Sequence, residues 1–274
     1  MEKEQIVIEK LRKWEPLAIE LNPDGFFVAF SGGKDSLVMY DLVRRSGVRH
    51  RAFYSVTSID PPDNVYYIRQ HFPEVEFIHP KRNFFKLIED KGLPTIWRRY
   101  CCERLKEGLG AGYMVLTGVR AAESRKRAAY AEIEIFSRRV EHQGKPRARS
   151  FEQLIESEHQ CIKGRDKLMV RPILDWSDEE VWEYVRTHQL PLNPCYQTHG
   201  RVGCMFCPFA SKKEIEEYER RYPKFKSLIL RSLTRYWTKY NSHYATTPED
   251  YYENWKAKGN KKQYIAAQVP PIQP

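Results

Sequence analysis

The chain has 274 residues, 41% of them hydrophobic, and carries a formal charge of +10 from 46 Lys and Arg against 36 Asp and Glu. That length supports one full core with a smaller appendage, and no apolar run approaches the roughly 18 residues that cross a bilayer, so a soluble chain with no membrane partner is expected. The basic balance favours an anionic partner such as a nucleotide or nucleic acid, and the mixed-charge opening "MEKEQIVIEKLRKW" fits neither a signal nor a transit peptide, which points to the cytoplasm.

Helical apolar spacing runs over residues 4–21 (Ile6, Ile8, Leu11, Trp14, Leu17, Ile19), with Pro16 expected to kink or divide it. The apolar run 26–30 predicts a strand, and Leu37, Val38, Tyr40, Leu42 and Val43 a helix stopping near Gly47. Strands follow at "RAFYSV" (51–56) and "VEFIH" (75–79), separated by the helical "PPDNVYYIRQHF", giving βαβαβ. "NFFKLIEDKG" predicts a helix and "YMVLTGV" (113–119) an all-apolar strand of the kind that flanking helices bury on both faces. Between about 138 and 167 periodicity is lost, predicting an excursion or mobile loop, before "LMVRPI" restores a strand. Ser177 and Glu180 form a capping-box pattern at the next helix, and from about 211 onward only helices are expected, the last starting at Thr247-Pro248-Glu249. The fold class is therefore α/β, doubly wound around a mostly parallel sheet, with a helical C-terminal extension.

Two patterns carry chemistry. Ser31 to Ser36 ("SGGKDS") sits between the first strand and its helix, where ligands of parallel sheets collect. Gly32 and Gly33 let the backbone curl around an oxyanion, Lys34 adds a mobile charge, and Ser31 and Ser36 add hydroxyls. Neither the Walker A pattern nor G-x-G-x-x-G is met. The second pattern is cysteine: Cys101 and Cys102 in "RRYCCERLK", Cys204 and Cys207 in "GRVGCMFCPF". Six cysteines are too few for a disulfide scaffold, and four in two clusters can close on zinc or on an iron–sulfur cluster. Adjacent side chains diverge, so the tandem pair favours a cubane, whose iron corners are spread apart, over a single small ion.

The string "SGGKDS" resembles the pyrophosphate loop (PP-loop) of the N-type ATP pyrophosphatases. Together with the CC pair, "TGVRAAESRKR" and "RPILDWSDEEVWEYVRTHQLPLNPCY" before C-x-x-C-P, residues from about 24 to 210 resemble the phosphoadenosine phosphosulfate reductase family, whose fold is adenine nucleotide alpha hydrolase-like. The cysteine signature resembles its [4Fe–4S] branch, adenylylsulfate reductases and the ATP pyrophosphatases of DNA phosphorothioation. The resemblance implies Cys101, Cys102, Cys204 and Cys207 as cluster ligands and Ser31, Gly32, Gly33, Lys34, Asp35 and Ser36 as the phosphate cradle. It implies Gly118, Arg120 and Arg125 against the nucleotide, with Thr57 and Ser58 near the ribose, although "DPPDN" departs from the family's usual loop. Lys34, Asp35 and Arg120 would be catalytic, with Mg²⁺ accompanying ATP. Residues 1–23 would be an N-terminal helical segment, 24–210 the nucleotide domain and 211–274 a helical extension.

The family's reductases attack sulfur with a C-terminal cysteine, and no cysteine follows Cys207 here. The leading expectation is thus a sulfur-transfer ATP pyrophosphatase, with DNA phosphorothioation as its setting and a sulfur donor such as a cysteine desulfurase as partner. A sulfonucleotide reductase is the second expectation and a nucleotide-binding regulator without turnover the third. Cys161, in a basic stretch, is a candidate persulfide carrier, whereas Cys195 among apolar residues is expected to be inert. The stretch "RRYPKFKSLILRSLTRYWTKYNSHY" mixes bases with aromatics as nucleic-acid binders do, yet Leu228, Leu230, Leu233, Trp237 and Tyr240 also suit an inward-packing helix. Oligomeric state is open, a homodimer included.

Overall fold

The computed structural model describes residues 2–136, 167–240 and 247–257. In chain order the elements are α1 (Glu2–Leu21), β1 (Phe26–Ala29), α2 (Lys34–Ser46), β2 (His50–Ser55), α3 (Pro62–His71), β3 (Glu76–Ile78), α4 (Phe84–Lys91) and α5 (Tyr100–Cys102). They continue as β4 (Met114–Thr117), β5 (Ile133–Phe136), β6 (Lys167–Val170), α6 (Asp178–Thr187), α7 (Cys195–His199), α8 (Lys212–Arg221), α9 (Pro223–Tyr240) and α10 (Pro248–Ala257). The expected polar excursion, Cys161 included, lies outside the described residues except for Lys167, which opens β6.

The chain forms two compact units interleaved along the sequence. The first comprises the described parts of 1–55, 62–78 and 108–202, and contains a six-stranded sheet in the order β3-β2-β1-β4-β6-β5. All neighbours pair in parallel except β5, which runs antiparallel to β6. This is the expected doubly wound, mostly parallel arrangement. β1 and β4 are buried on both faces because helices cover them, so Phe26, Phe27 and Val28, and Met114, Val115 and Leu116, read as apolar runs rather than as alternation. Chain order moves outward from β1 to β2 and β3, then returns to β4 on the other side of β1. The switch point therefore lies at the carboxyl ends of β1 and β4.

Two local expectations are corrected. Pro16 does not divide α1, which runs unbroken from Glu2 to Leu21. Proline removes one ladder hydrogen bond, and the buried stripe Val7, Ile8, Leu11, Trp14, Leu17 and Ala18 holds the helix in place despite that loss. Strand β5 escapes the sequence reading because it is a four-residue edge strand whose polar Glu134 points inward, where Arg171 pairs with it at 2.8 Å.

The second unit comprises the described parts of 56–61, 79–107 and 203–274. Its core joins Phe84, Leu87 and Ile88 of α4 to Met205, Phe206, Ile215, Tyr218, Leu233 and Tyr252. The extension after 211 is helical in its described residues, as expected, and Thr247 caps α10 by accepting the Asp250 amide at 3.0 Å. In α9 the buried face is Ile229, Ser232 and Leu233, whereas Leu228 and Tyr240 are exposed, so the inward stripe is narrower than the spacing suggested. Among the described residues no helix is long and apolar enough to cross a membrane.

Leu116, wholly buried in a central strand, tests this core. Leu116→Ala is expected to lower unfolding free energy by about 3 kcal/mol in a urea titration, as large-to-small changes in collapsed cores do.

Candidate functional site

The loop 31–36 hangs from the end of β1 and starts α2, with Gly33 as N-cap. Buried asparagines hold its carbonyls: Asn64 Nδ2 donates to the Ser31 carbonyl at 3.3 Å and Asn193 Nδ2 to the Gly32 carbonyl at 3.0 Å. Because a trans peptide sets its N–H opposite its C=O, fixing these carbonyls aims the Gly32 and Gly33 amides the other way, as an anion site requires. Gly32 has φ +78, and a Cβ there would lie 2.4 Å from Asn64 Oδ1. Ser36 Oγ donates to the Gly33 carbonyl at 2.9 Å, lies 2.9 Å from Ser31 Oγ and closes the turn.

The end of β4 presses on this loop. A Cβ on Gly118 would sit 2.6 Å from the Asp35 carbonyl carbon and oxygen and 2.7 Å from the Ser36 nitrogen, all backbone, so the closest approach of strand to helix start admits only glycine.

Two residues on, Arg120 is 1% exposed and every guanidinium nitrogen donates: Nε to Asp35 Oδ1 at 2.6 Å, Nη1 to the Trp176 carbonyl at 3.0 Å, Nη2 to Asp178 Oδ1 at 2.5 Å. Lys34 Nζ meets the same two carboxylates, at 2.9 and 2.8 Å. Four charges thus form a closed square. Burial opposes the charge on Arg120, and the carboxylates, Asp35 first, outweigh it and raise its pKa. Asp178 is held below the usual carboxylate range by the hydrogen bond from Lys34 and then by that from Arg120. Trp182 and Tyr196 wall this square: Lys34 Nζ is 5.8 Å from the Trp182 ring centroid, and the Lys34 amide donates to the Tyr196 hydroxyl at 2.8 Å. Burial pushes Tyr196 up to about 12, so the hydroxyl stays protonated at neutral pH.

Of the nucleotide residues expected from sequence, Ser31 to Ser36, Gly118 and Arg120 come together in the first unit. Arg125 is exposed on the turn beyond Arg120. Asp178, Trp182, Tyr196, Asn64 and Asn193 were not singled out by sequence reasoning. Their sole signal was membership of quoted strings, since the contacts joining Asp178 and Tyr196 to Lys34 span 144 and 162 positions.

In the second unit Cys101, Cys102, Cys204 and Cys207 are half-buried, and Cys101, Cys204 and Cys207 pack against one core. Cys101 and Cys102 end α5, and Met205, inside the C-x-x-C, donates its amide to the Ile59 carbonyl at 3.0 Å. Thr57 is buried here, its hydroxyl 3.6 Å from Cys204 Sγ, and Ser58 adopts φ +69 beside it. Cation–thiol contacts mark the group. Arg99 Nη2 donates to Cys102 Sγ at 3.2 Å, and Lys106 is raised chiefly by Cys204, then by Asp60 against burial. Hydrogen bonding with Cys101 holds the Cys102 thiol down, and the same bond, then burial, pushes Cys101 up. Cys101 feels Cys102, Cys204 and Cys207 in turn, so the four sulfurs share one neighbourhood. Among the described residues no three His, Cys, Asp or Glu side chains close on a single metal-ion position. Four thiols with Arg99 and Lys106 beside them have the donor chemistry of a thiolate-ligated cluster, whose surplus negative charge the two cations would offset. Cys195 is fully buried, its amide donating to Asn193 Oδ1, consistent with an inert role.

A parallel sheet with a glycine-rich anion turn at its switch point defines a nucleotide-binding α/β protein. The sequence profile of the phosphoadenosine phosphosulfate reductase domain matches residues 25–210, and the chain belongs to that family, within the PP-loop superfamily. It is 26% identical over 229 residues to an uncharacterised protein of Methanocaldococcus jannaschii, covering 78% of this chain and 42% of that one. It is 24% identical over 198 residues to an adenosine 5'-phosphosulfate reductase of Staphylococcus haemolyticus, covering 67% and 70% of the two chains. The chain spans less than half the length of the first of these relatives. Among solved structures it resembles phosphoadenylyl-sulfate reductase from Candida auris, at 16% identity and a TM-score of 0.45 over 72% of this chain and 87% of that one.

Gly118→Ala is expected to lose about 2 kcal/mol or more, because backbone atoms cannot yield to the new methyl. Gly33→Ala, whose Cβ would meet nothing nearer than 3.5 Å, keeps its thermal midpoint. A depressed carboxylate stabilises the fold above its unfolded pKa of about 3.9 and loses that contribution as pH falls through the folded value. Asp178→Asn therefore removes part of the acid-side fall in thermal stability below about pH 4, measured by calorimetry across an acid series.

Proposed function

We propose that the chain is an ATP pyrophosphatase-type sulfur-transfer enzyme that holds adenine nucleotide at the 31–36 loop and a [4Fe–4S] cluster on Cys101, Cys102, Cys204 and Cys207. The observation that carries this reading is the square of Lys34, Asp35, Arg120 and Asp178 beside the oriented amides. It keeps a lysine ammonium, 13% exposed, poised at the phosphate site without leaving it uncompensated when no phosphate is bound.

In this reading the β and γ phosphates enter the loop with Mg²⁺, and the Lys34 ammonium exchanges its carboxylate partners for phosphate oxygens. Arg120, with every nitrogen already committed, positions Asp35 and Asp178 rather than reaching the nucleotide. An acceptor oxygen attacks the α-phosphorus; that O–P bond forms as the bond to the β-phosphate oxygen breaks, and pyrophosphate leaves with the electron pair. Lys34 and the loop amides stabilise the charge gathering there, the main contribution a protein makes to such transfers. AMP then becomes the group that sulfur from a donor such as a cysteine desulfurase displaces. When bound, the cluster supplies thiophilic iron. Arg99 and Lys106 hold the thiolates against their mutual repulsion. DNA phosphorothioation is the setting this reading favours. The family's sulfonucleotide reductase activity is the alternative, and the same assay distinguishes the two.

Anaerobically purified protein is expected to show equimolar iron and acid-labile sulfide, and to release pyrophosphate from ATP. Lys34→Ala should cut that release by about 100-fold, as loss of a preorganised charge at developing charge does. Sulfite produced from a sulfonucleotide with a thiol reductant, and no pyrophosphate from ATP, would overturn the reading.

A further inference from the structure

Beside the tandem cysteines the second unit carries a surface feature that the nucleotide reading leaves unused. Trp97 is 74% exposed, and Phe209, two residues beyond the C-x-x-C, is 53% exposed. Large aromatics that open to water on a basic surface are unusual unless they meet something. Trp97 does not sit on a loose tip. Thr95 is buried, its hydroxyl accepts the Trp97 and Arg98 amides at 3.2 and 2.9 Å, and its own amide donates to the Arg98 carbonyl at 3.3 Å. The turn is closed from both sides, so the indole is presented with little ordering left to lose on binding.

Arg98 and Arg99 follow directly, both exposed, and neither pairs with a carboxylate among the described residues. The Arg99 guanidinium lies 5.1 Å from the Phe209 ring centroid, linking the turn to the C-x-x-C segment, and the same side chain donates to Cys102 Sγ. Aromatic faces beside an exposed arginine that no carboxylate pairs are the composition of a platform for single-stranded nucleic acid: bases stack on rings and phosphates meet the guanidinium.

We infer that Trp97, Arg98 and Phe209 form a binding surface for single-stranded nucleic acid, with bases stacking on Trp97 and Phe209 and the backbone held by Arg98. The inference deepens the sulfur-transfer reading by naming a polynucleotide as the acceptor class. It is measured without turnover, so its failure leaves the ATP reading standing and the reverse also holds.

The test is fluorescence anisotropy of labelled single-stranded DNA and RNA oligonucleotides, and of duplex DNA, titrated with cluster-loaded wild-type chain and variants. Binding of one or both single strands is expected, weaker for duplex, with quenching of tryptophan emission. Trp97→Ala should weaken it about tenfold or more, and Trp97→Phe should restore most of that loss, since any aromatic face stacks. Arg98→Gln should weaken all sequences alike and lower the slope of log affinity against log salt by about one. Unchanged affinity in Trp97→Ala, or equal loss in Trp97→Ala and Trp97→Phe, overturns the inference. So does binding of a cysteine desulfurase that Trp97→Ala abolishes while oligonucleotide binding persists.

Discussion

The candidate site depends on one buried guanidinium. Arg120, 1% exposed, ties Asp35 at the start of α2 to Asp178 at the start of α6, and so joins the ends of three elements that the chain reaches far apart in sequence. The two ion pairs differ in worth. Asp178 is 62% exposed and solvent screens it, so its pair belongs near the roughly 0–1 kcal/mol of surface bridges. Asp35 is 22% exposed, and removing one partner of a pair buried to that degree approaches the roughly 3–5 kcal/mol cost of an orphaned charge. The energy is therefore concentrated on the Asp35 side, where the loop amides are. Asp178 contributes a second carboxylate for Lys34 more than it contributes stability.

The cysteine-bearing unit follows the same logic with thiols in place of carboxylates. Cations stand beside the thiols, Arg99 donating to Cys102 and Lys106 facing Cys204, on the segments flanking Cys101 and Cys102. The apolar side of that group is supplied by α4, α8, α9 and α10, whose side chains form one core with the cysteines packed on it. The helical extension is thus part of what holds the sulfurs. In both units cations are fixed beside groups that can carry negative charge, carboxylates in the first and thiols in the second.

Much of this was legible in the sequence because the signals are local. A doubly wound sheet follows from apolar runs alternating with helical periods, and the switch-point loop from its glycines and the strand before it. The capping box at Ser177 and Glu180 is present with both bonds made. The missing pieces were those that depend on contacts across the fold. Asp178 reads as a favourable first-turn acid, and nothing within its own helix reveals that it meets Lys34 and Arg120. Asn64 and Asn193 look like ordinary polar residues until the backbone carbonyls they satisfy are seen. The partners of Arg120 are similar: the motif singles the residue out, and only the fold shows its guanidinium bonded to Asp35, Asp178 and the Trp176 carbonyl. Strand β5 shows the converse limit, a four-residue edge too short for periodicity to register.

The central claim is that the amides of the 31–36 loop and the Lys34 ammonium grip the phosphates of an adenine nucleotide at the carboxyl ends of β1 and β4. Hydrogen exchange read by mass spectrometry, with and without ATP and Mg²⁺ on anaerobically prepared protein, addresses it directly. Protection is predicted in peptides covering 31–36 and 118–120 of the first unit. Exchange unchanged in both peptides at saturating nucleotide would contradict the account.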